Sequence, residues 1–91
     1  MNKRLVLKIY GQVQGVNFRW QIRLEAEKLG LAGWVRNEDD GTVAVVAEGQ
    51  KPALQNLINF CYNGVKYARV EKIESSWREA TGNFSDFSIE Y

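Results

Sequence analysis

The stretch Gly11-Gln12-Val13-Gln14-Gly15-Val16-Asn17-Phe18-Arg19 constrains this chain more than any other. Before it, Leu5, Leu7 and Ile9 alternate with Val6, Lys8 and Tyr10, the period of a strand over Leu5 to Tyr10 with one buried face. After it, Phe18, Ile22, Ala26 and Leu29 recur on one face of a helix that Gly30 can close. Between the two, a pair of glycines permits a tight turn in which consecutive N–H groups point into one concavity. The helix aims its first free N–H groups and its positive dipole end at the same place. Arg19 falls in the first helical turn, and its planar fork of donors suits a phosphate. A cation is mildly unfavourable at that end of a helix unless an anion lies in front of it. The segment therefore reads either as a small-anion site or as a tight strand-to-helix connection with a solvated arginine. Its glycines do not follow G-x-G-x-x-G, and no Lys-Ser/Thr follows the second one, so it is neither a dinucleotide fingerprint nor a P-loop.

The remaining elements follow from the same rules. Ala32 to Glu38 and Thr42 to Glu48 read as two strands joined by Asp39-Asp40-Gly41, a hairpin signal. Pro52 opens a second helix whose apolar face is Leu54, Leu57, Ile58 and Cys61, and Asn63-Gly64 ends it. Val70 to Trp77 reads as a strand without strict alternation. Thr81-Gly82-Asn83 is a turn, and Phe84 to Tyr91 a last short strand. Trp20 and Leu24 share another face of the first helix, and the pattern does not decide whether they pack or lie exposed. Strand–helix–strand crossovers prefer the right-handed route, which puts both helices on one face of the sheet. The expected fold is an α/β sandwich, ferredoxin-like βαββαβ with a short extra C-terminal strand on a mainly antiparallel sheet.

Composition narrows the function classes. Ninety-one residues suit one domain, read as spanning 1–91. The formal net charge is +1 and no basic run is longer than Lys3-Arg4, which argues against nucleic-acid binding by bulk charge. The single Cys61 excludes an intramolecular disulfide, and the absence of histidine removes the commonest general base and metal ligand. No N-terminal apolar stretch is long enough for a signal peptide or a membrane span. The expectation is a cytoplasmic monomer with no cofactor, no metal, no nucleic-acid partner and no membrane partner.

Gly11-x-Val13-Gln14-Gly15-Val16-x-Phe18-Arg19 resembles the signature of the acylphosphatase family. A second block resembles the family in the right order: Gly33-Trp34-Val35-Arg36-Asn37, then Asp40-Gly41 and the strand Thr42 to Glu48. The likeness runs on to Ala68-Arg69-Val70 and Phe84-Ser85-Asp86-Phe87, with Val65 standing where the family pattern has a proline. The resemblance implies the same ferredoxin-like fold and a metal-independent hydrolase. Its substrate would be an acyl phosphate, and its products a carboxylate and inorganic phosphate. The family's catalytic arginine falls on Arg19 and its catalytic asparagine on Asn37. Backbone N–H groups of Gln14, Gly15, Val16, Asn17 and Phe18, with Arg19, would hold the phosphoryl oxygens.

Each residue also has a plainer reading. Asn37 could simply satisfy the hairpin through local hydrogen bonds, or its amide could orient an attacking water. Arg36 alternates to the opposite sheet face and reads as structural. Glu38-Asp39-Asp40 lacks the ligand series of a calcium loop and reads as a solvated turn. Cys61, on an apolar helix face with no histidine to activate it, reads as core. Phosphoryl transfer to water runs mainly on positioning and charge stabilisation, and a carboxylate leaves without a strong general acid. The proton acceptor would be the substrate phosphate itself. The competing function is a non-catalytic phosphate-binding module on the same fold. An RNA-binding version would need aromatics on both central strands, and Thr42 to Glu48 has none.

Overall fold

The computed structural model describes residues 2–91. Its elements are β1 (Asn2–Gln12), α1 (Phe18–Lys28), β2 (Ala32–Asn37), β3 (Val43–Gln50), α2 (Lys51–Asn63), β4 (Arg69–Glu79) and β5 (Phe87–Glu90). The five strands form one sheet in the order β4-β1-β3-β2-β5. All neighbours are antiparallel except β2 and β5, which run parallel from Gly33 opposite Phe87 to Arg36 opposite Glu90. Helix α1 lies against β2 and β5, α2 against β3 and β1, and the helices touch each other, so both cover one face. This is the ferredoxin-like arrangement read from the sequence, with the extra strand at one edge.

The period-two pattern sorts the central strands as expected. Leu5, Leu7 and Ile9 of β1 turn into the core, opposite Ala47, Val45 and Val43 of β3. They meet Phe18, Ile22 and Ala26 of α1 and Leu54, Leu57 and Cys61 of α2. Burial of Cys61 pushes its thiol up to about 12, as befits an inert core residue. On the uncovered face the Arg36 guanidinium lies 4.6 Å from the centre of the Trp34 ring and 3.1 Å from Glu38 Oε1. That is the structural role its alternation predicts.

Several boundaries differ by one to three residues from the sequence reading. β1 runs on to Gln12 because β4 pairs along it from Lys3–Glu79 to Gln12–Arg69. β5 begins only at Phe87, since the backbone after Thr81 is tied elsewhere. Thr81 N and Gly82 N donate to the Glu48 carboxylate at 2.8 and 3.0 Å. β4 is an edge strand with mostly exposed side chains, only Val70 and Ile73 being half-buried, which is why it shows no alternation. Val65, after the second helix, packs partly against the core.

Candidate active site

The loop between β1 and α1 is anchored at both ends by burial. Val13 and Phe18 are buried and Val16 packs against the core, so the apolar positions of the motif act as pegs. The residues between them are left to shape the backbone. Gly15 has φ +76° and Asn17 φ +66°, two left-handed residues close together that turn the chain sharply. Gly15 meets that requirement without a Cβ penalty. Just upstream, the pairing of β1 with β4 shifts register between Tyr10 and Gly11. A Cβ on Gly11, at φ +134°, would collide with the Arg69 carbonyl oxygen, so only glycine admits this bulge.

Asn17 is also the N-cap of α1, yet its side chain makes no capping hydrogen bond, and the first turn carries no acidic residue. The first N–H groups of α1 thus have neither a side-chain acceptor nor a carboxylate to neutralise the dipole. They open onto a cavity of about 410 Å³ walled by the loop, the start of α1, the end of β2 and β5. Gly15, Asn17, Phe18, Arg19 and Asn37 all line it.

Arg19 stands in this wall with its Nη1 donating to the Glu90 carbonyl at 3.5 Å. Its guanidinium lies 5.0 Å from the centre of the Tyr91 ring. The hydrogen bond is long, so most of the donor capacity of the fork remains available. Asn37 is the last residue of β2, opposite Val43, and shares the covered face with Val35. Its Oδ1 is buried without a hydrogen-bond partner. A strand-end asparagine that merely satisfied its hairpin would not leave that acceptor open.

Gln14 and Val16 lie outside the cavity wall. The side chain of Gln14 is committed: Nε2 donates to the carbonyls of Glu38 and Thr42, both at 2.9 Å. It clamps the loop to the β2–β3 hairpin, and hence to the strand end that carries Asn37. The hairpin is stiff in turn. Asp40 Oδ1 accepts from Thr42 Oγ1 at 2.6 Å and Thr42 N at 3.1 Å, and Oδ2 lies 3.0 Å from Lys8 Nζ. The hydroxyl and amide of Thr42, with Lys8, hold that carboxyl down to about 2. Glu38-Asp39-Asp40 is therefore a braced turn, and no cluster of three metal-ligating side chains occurs among the described residues.

Sequence reasoning missed the far wall. Trp20, Ile89 and Tyr91 line the cavity as well. Nothing local marks Ile89 and Tyr91, because the chain end reaches the site only through the parallel pairing of β5 with β2; Trp20 follows Arg19 on α1, and its helical pattern leaves open whether it packs. Arg19 and Tyr91 carry the titratable side chains of the wall, which contains no Asp or Glu side chain. The cavity can thus hold a doubly charged anion, but offers no side-chain base for ordinary pH.

Comparison with known proteins agrees with this geometry. "Acylphosphatase" from Roseiflexus sp. (strain RS-1) is 47% identical over 81 residues, covering 89% of this chain and 87% of the relative. "Acylphosphatase" from Thermococcus kodakarensis is 49% identical over 79 residues, 87% of each. The crystal structure of acylphosphatase from Bacillus subtilis superposes with a TM-score of 0.91 at 38% identity over the full length of both chains. The Acylphosphatase family model matches residues 5–89, and so takes in the loop, Arg19 and Asn37 together. The chain belongs to the acylphosphatase family.

Proposed function

We infer that the chain hydrolyses acyl phosphates, R–CO–O–PO₃²⁻, to a carboxylate and inorganic phosphate, with Arg19 and Asn37 as its catalytic residues. The observation that carries this is the meeting, on one cavity, of an uncapped helix N-terminus, a cationic fork and a buried unpartnered amide oxygen. Backbone N–H groups over Gln14, Gly15, Val16, Asn17 and Phe18, with Arg19, take the phosphoryl oxygens; the Gln14 side chain serves as the clamp. Asn37 Oδ1 accepts a hydrogen bond from the attacking water and aims its oxygen at phosphorus. The P–O bond forms to water as the P–O bond to the acyl group breaks, and the electron pair leaves on the carboxylate. With no Asp, Glu or His side chain in the wall to act as base, the water's proton passes to a phosphoryl oxygen of the substrate. Nothing in this scheme asks for a metal or cofactor.

The same reading gives a working unit that spans residues 1–91, acts as a monomer and resides in the cytoplasm; no helix of the described residues is long and apolar enough to cross a membrane. Hydrolysis of benzoyl phosphate, followed by its ultraviolet absorbance in the presence of EDTA, tests the assignment. Turnover above the spontaneous rate is expected. Turnover no faster than buffer, or one restored only by a divalent cation, would refute it.

A further inference from the structure

Beside the cavity at Arg19 lies a second one of about 310 Å³, between α1 and the edge strand β5. Trp20, Ile89 and Tyr91 stand in the walls of both, so the second cavity continues the first. Its cation is Arg23, one turn along α1 from Arg19; four residues of helix separate the two by about 6 Å. The Arg23 guanidinium rests 5.5 Å from the centre of the Trp20 ring, which is 44% exposed and forms a flat apolar surface between the two arginines. Arg23 is not well satisfied where it lies. Its Nε is buried without a hydrogen-bond partner, and Glu27 Oε2, at 3.5 Å, is out of hydrogen-bonding alignment. Swinging the fork onto an incoming carboxylate or phosphate would engage Nε and an Nη together. The opposing charges are Glu27 and Asp86, the acidic residue of the second wall.

We propose that this extension is an acyl subsite that selects substrates with a second anionic group on the acyl part, held by Arg23 across the face of Trp20. The inference rests on the reading of Arg19 and its loop as the phosphate site. Once the phosphoryl group is fixed there, the shared wall of Trp20, Ile89 and Tyr91 is the apolar surface along which the acyl substituent can extend. A planar spacer that sets two anions several ångströms apart, such as an aromatic ring, spans the distance between the arginines. Arg23 touches neither the phosphoryl group nor the water, so it sets specificity and leaves the chemical step alone.

A matched pair of rigid substrates tests this: benzoyl phosphate and 3-carboxybenzoyl phosphate, which differ only in the added carboxylate. The wild type should favour the carboxylated substrate by about tenfold or more in kcat/KM, chiefly through KM, as one charged hydrogen-bonded pair provides. Arg23→Gln should abolish the preference and leave benzoyl phosphate turnover unchanged, which also shows that the variant is folded. Lys28→Gln removes the same charge from the far end of α1 and should keep the preference. Glu27→Gln removes the competing carboxylate and should widen it. No preference in the wild type, a preference that survives Arg23→Gln, or an equal loss in Lys28→Gln would each overturn the subsite. Loss of all benzoyl phosphate turnover in the wild type would instead overturn the phosphate-site reading, and the subsite with it.

Discussion

Arg19 and Asn37 divide the work between charge and placement, and their variants should fail differently. Arg19 is the guanidinium of the cavity at the loop. Arg19→Ala should lower kcat/KM for benzoyl phosphate by on the order of 10³-fold or more. Arg19→Lys should recover only part of this, because a point charge cannot reproduce the fork. Steady-state kinetics of both variants check this. Asn37→Ala should lower kcat while inorganic phosphate binds almost as before, since the amide holds water and not the anion. Its stability should not fall with its activity. The buried Oδ1 has no hydrogen-bond partner among the protein's own groups. An acceptor that no protein group engages adds little to stability, so its removal should leave the melting temperature unchanged or raise it. A variant that lost activity and stability together would make Asn37 a structural residue. The orphaned oxygen itself is invisible in sequence. The motif points to Asn37, but only the packing around the β2 end leaves its acceptor bare.

Among the elements, the loop between β1 and α1 is the part whose shape matters most, and it is held from outside. Gln14 reaches across to the Glu38 and Thr42 carbonyls. Each of these carbonyls keeps a backbone donor of its own, from Gly41 N and Glu38 N. Gln14→Ala therefore deletes two hydrogen bonds without orphaning an acceptor, at about 1–3 kcal/mol of stability. Its larger effect should be on ligand binding. Phosphate that binds only the native state raises stability by RT ln(1 + [L]/Kd), about 2.7 kcal/mol at a hundredfold excess over Kd. At constant ionic strength the melting temperature should rise with phosphate far more than with chloride. Gln14→Ala should lose part of that increment and Arg19→Ala most of it. Equal phosphate responses in all three proteins would place the anion elsewhere. Strand and helix periods made β1, α1, β2, β3 and α2 legible to within a few residues. The edge strands were legible too, β4 to within two residues and β5 to within three, although a strand paired on one side with mostly exposed side chains carries little alternation to read.

For the molecule as a whole, the end of the sheet opposite the site is fastened by one buried carboxylate. Glu48 is 6% exposed. Burial alone would raise its pKa. Hydrogen bonds from Thr81 N and Oγ1, Gly82 N and Arg4 Nε outweigh that and bring it down to about 2. A carboxyl depressed in the folded state gives stability that is complete above its unfolded pKa, about 4.3, and is lost as pH falls toward 2. Melting temperature should accordingly be flat from about pH 6 to 7 and decline steeply below about pH 4. Glu48→Gln should melt lower at neutral pH and show a shallower acid decline; an unchanged acid limb would remove Glu48 from the account. Sequence alone determined the succession of elements, the faces that Leu5, Leu7, Ile9, Phe18 and Ile22 bury, and the loop with its arginine. Those features depend on local periods and on backbone freedom at glycine, which neighbouring residues reveal. The tertiary structure decided the rest. It laid β5 beside β2, brought Trp20, Ile89 and Tyr91 into the wall with Asn37, and gave Gln14 and Glu48 their partners. Those contacts join residues tens of positions apart, and a charge or an amide along the chain carries no mark of which distant backbone group it will meet.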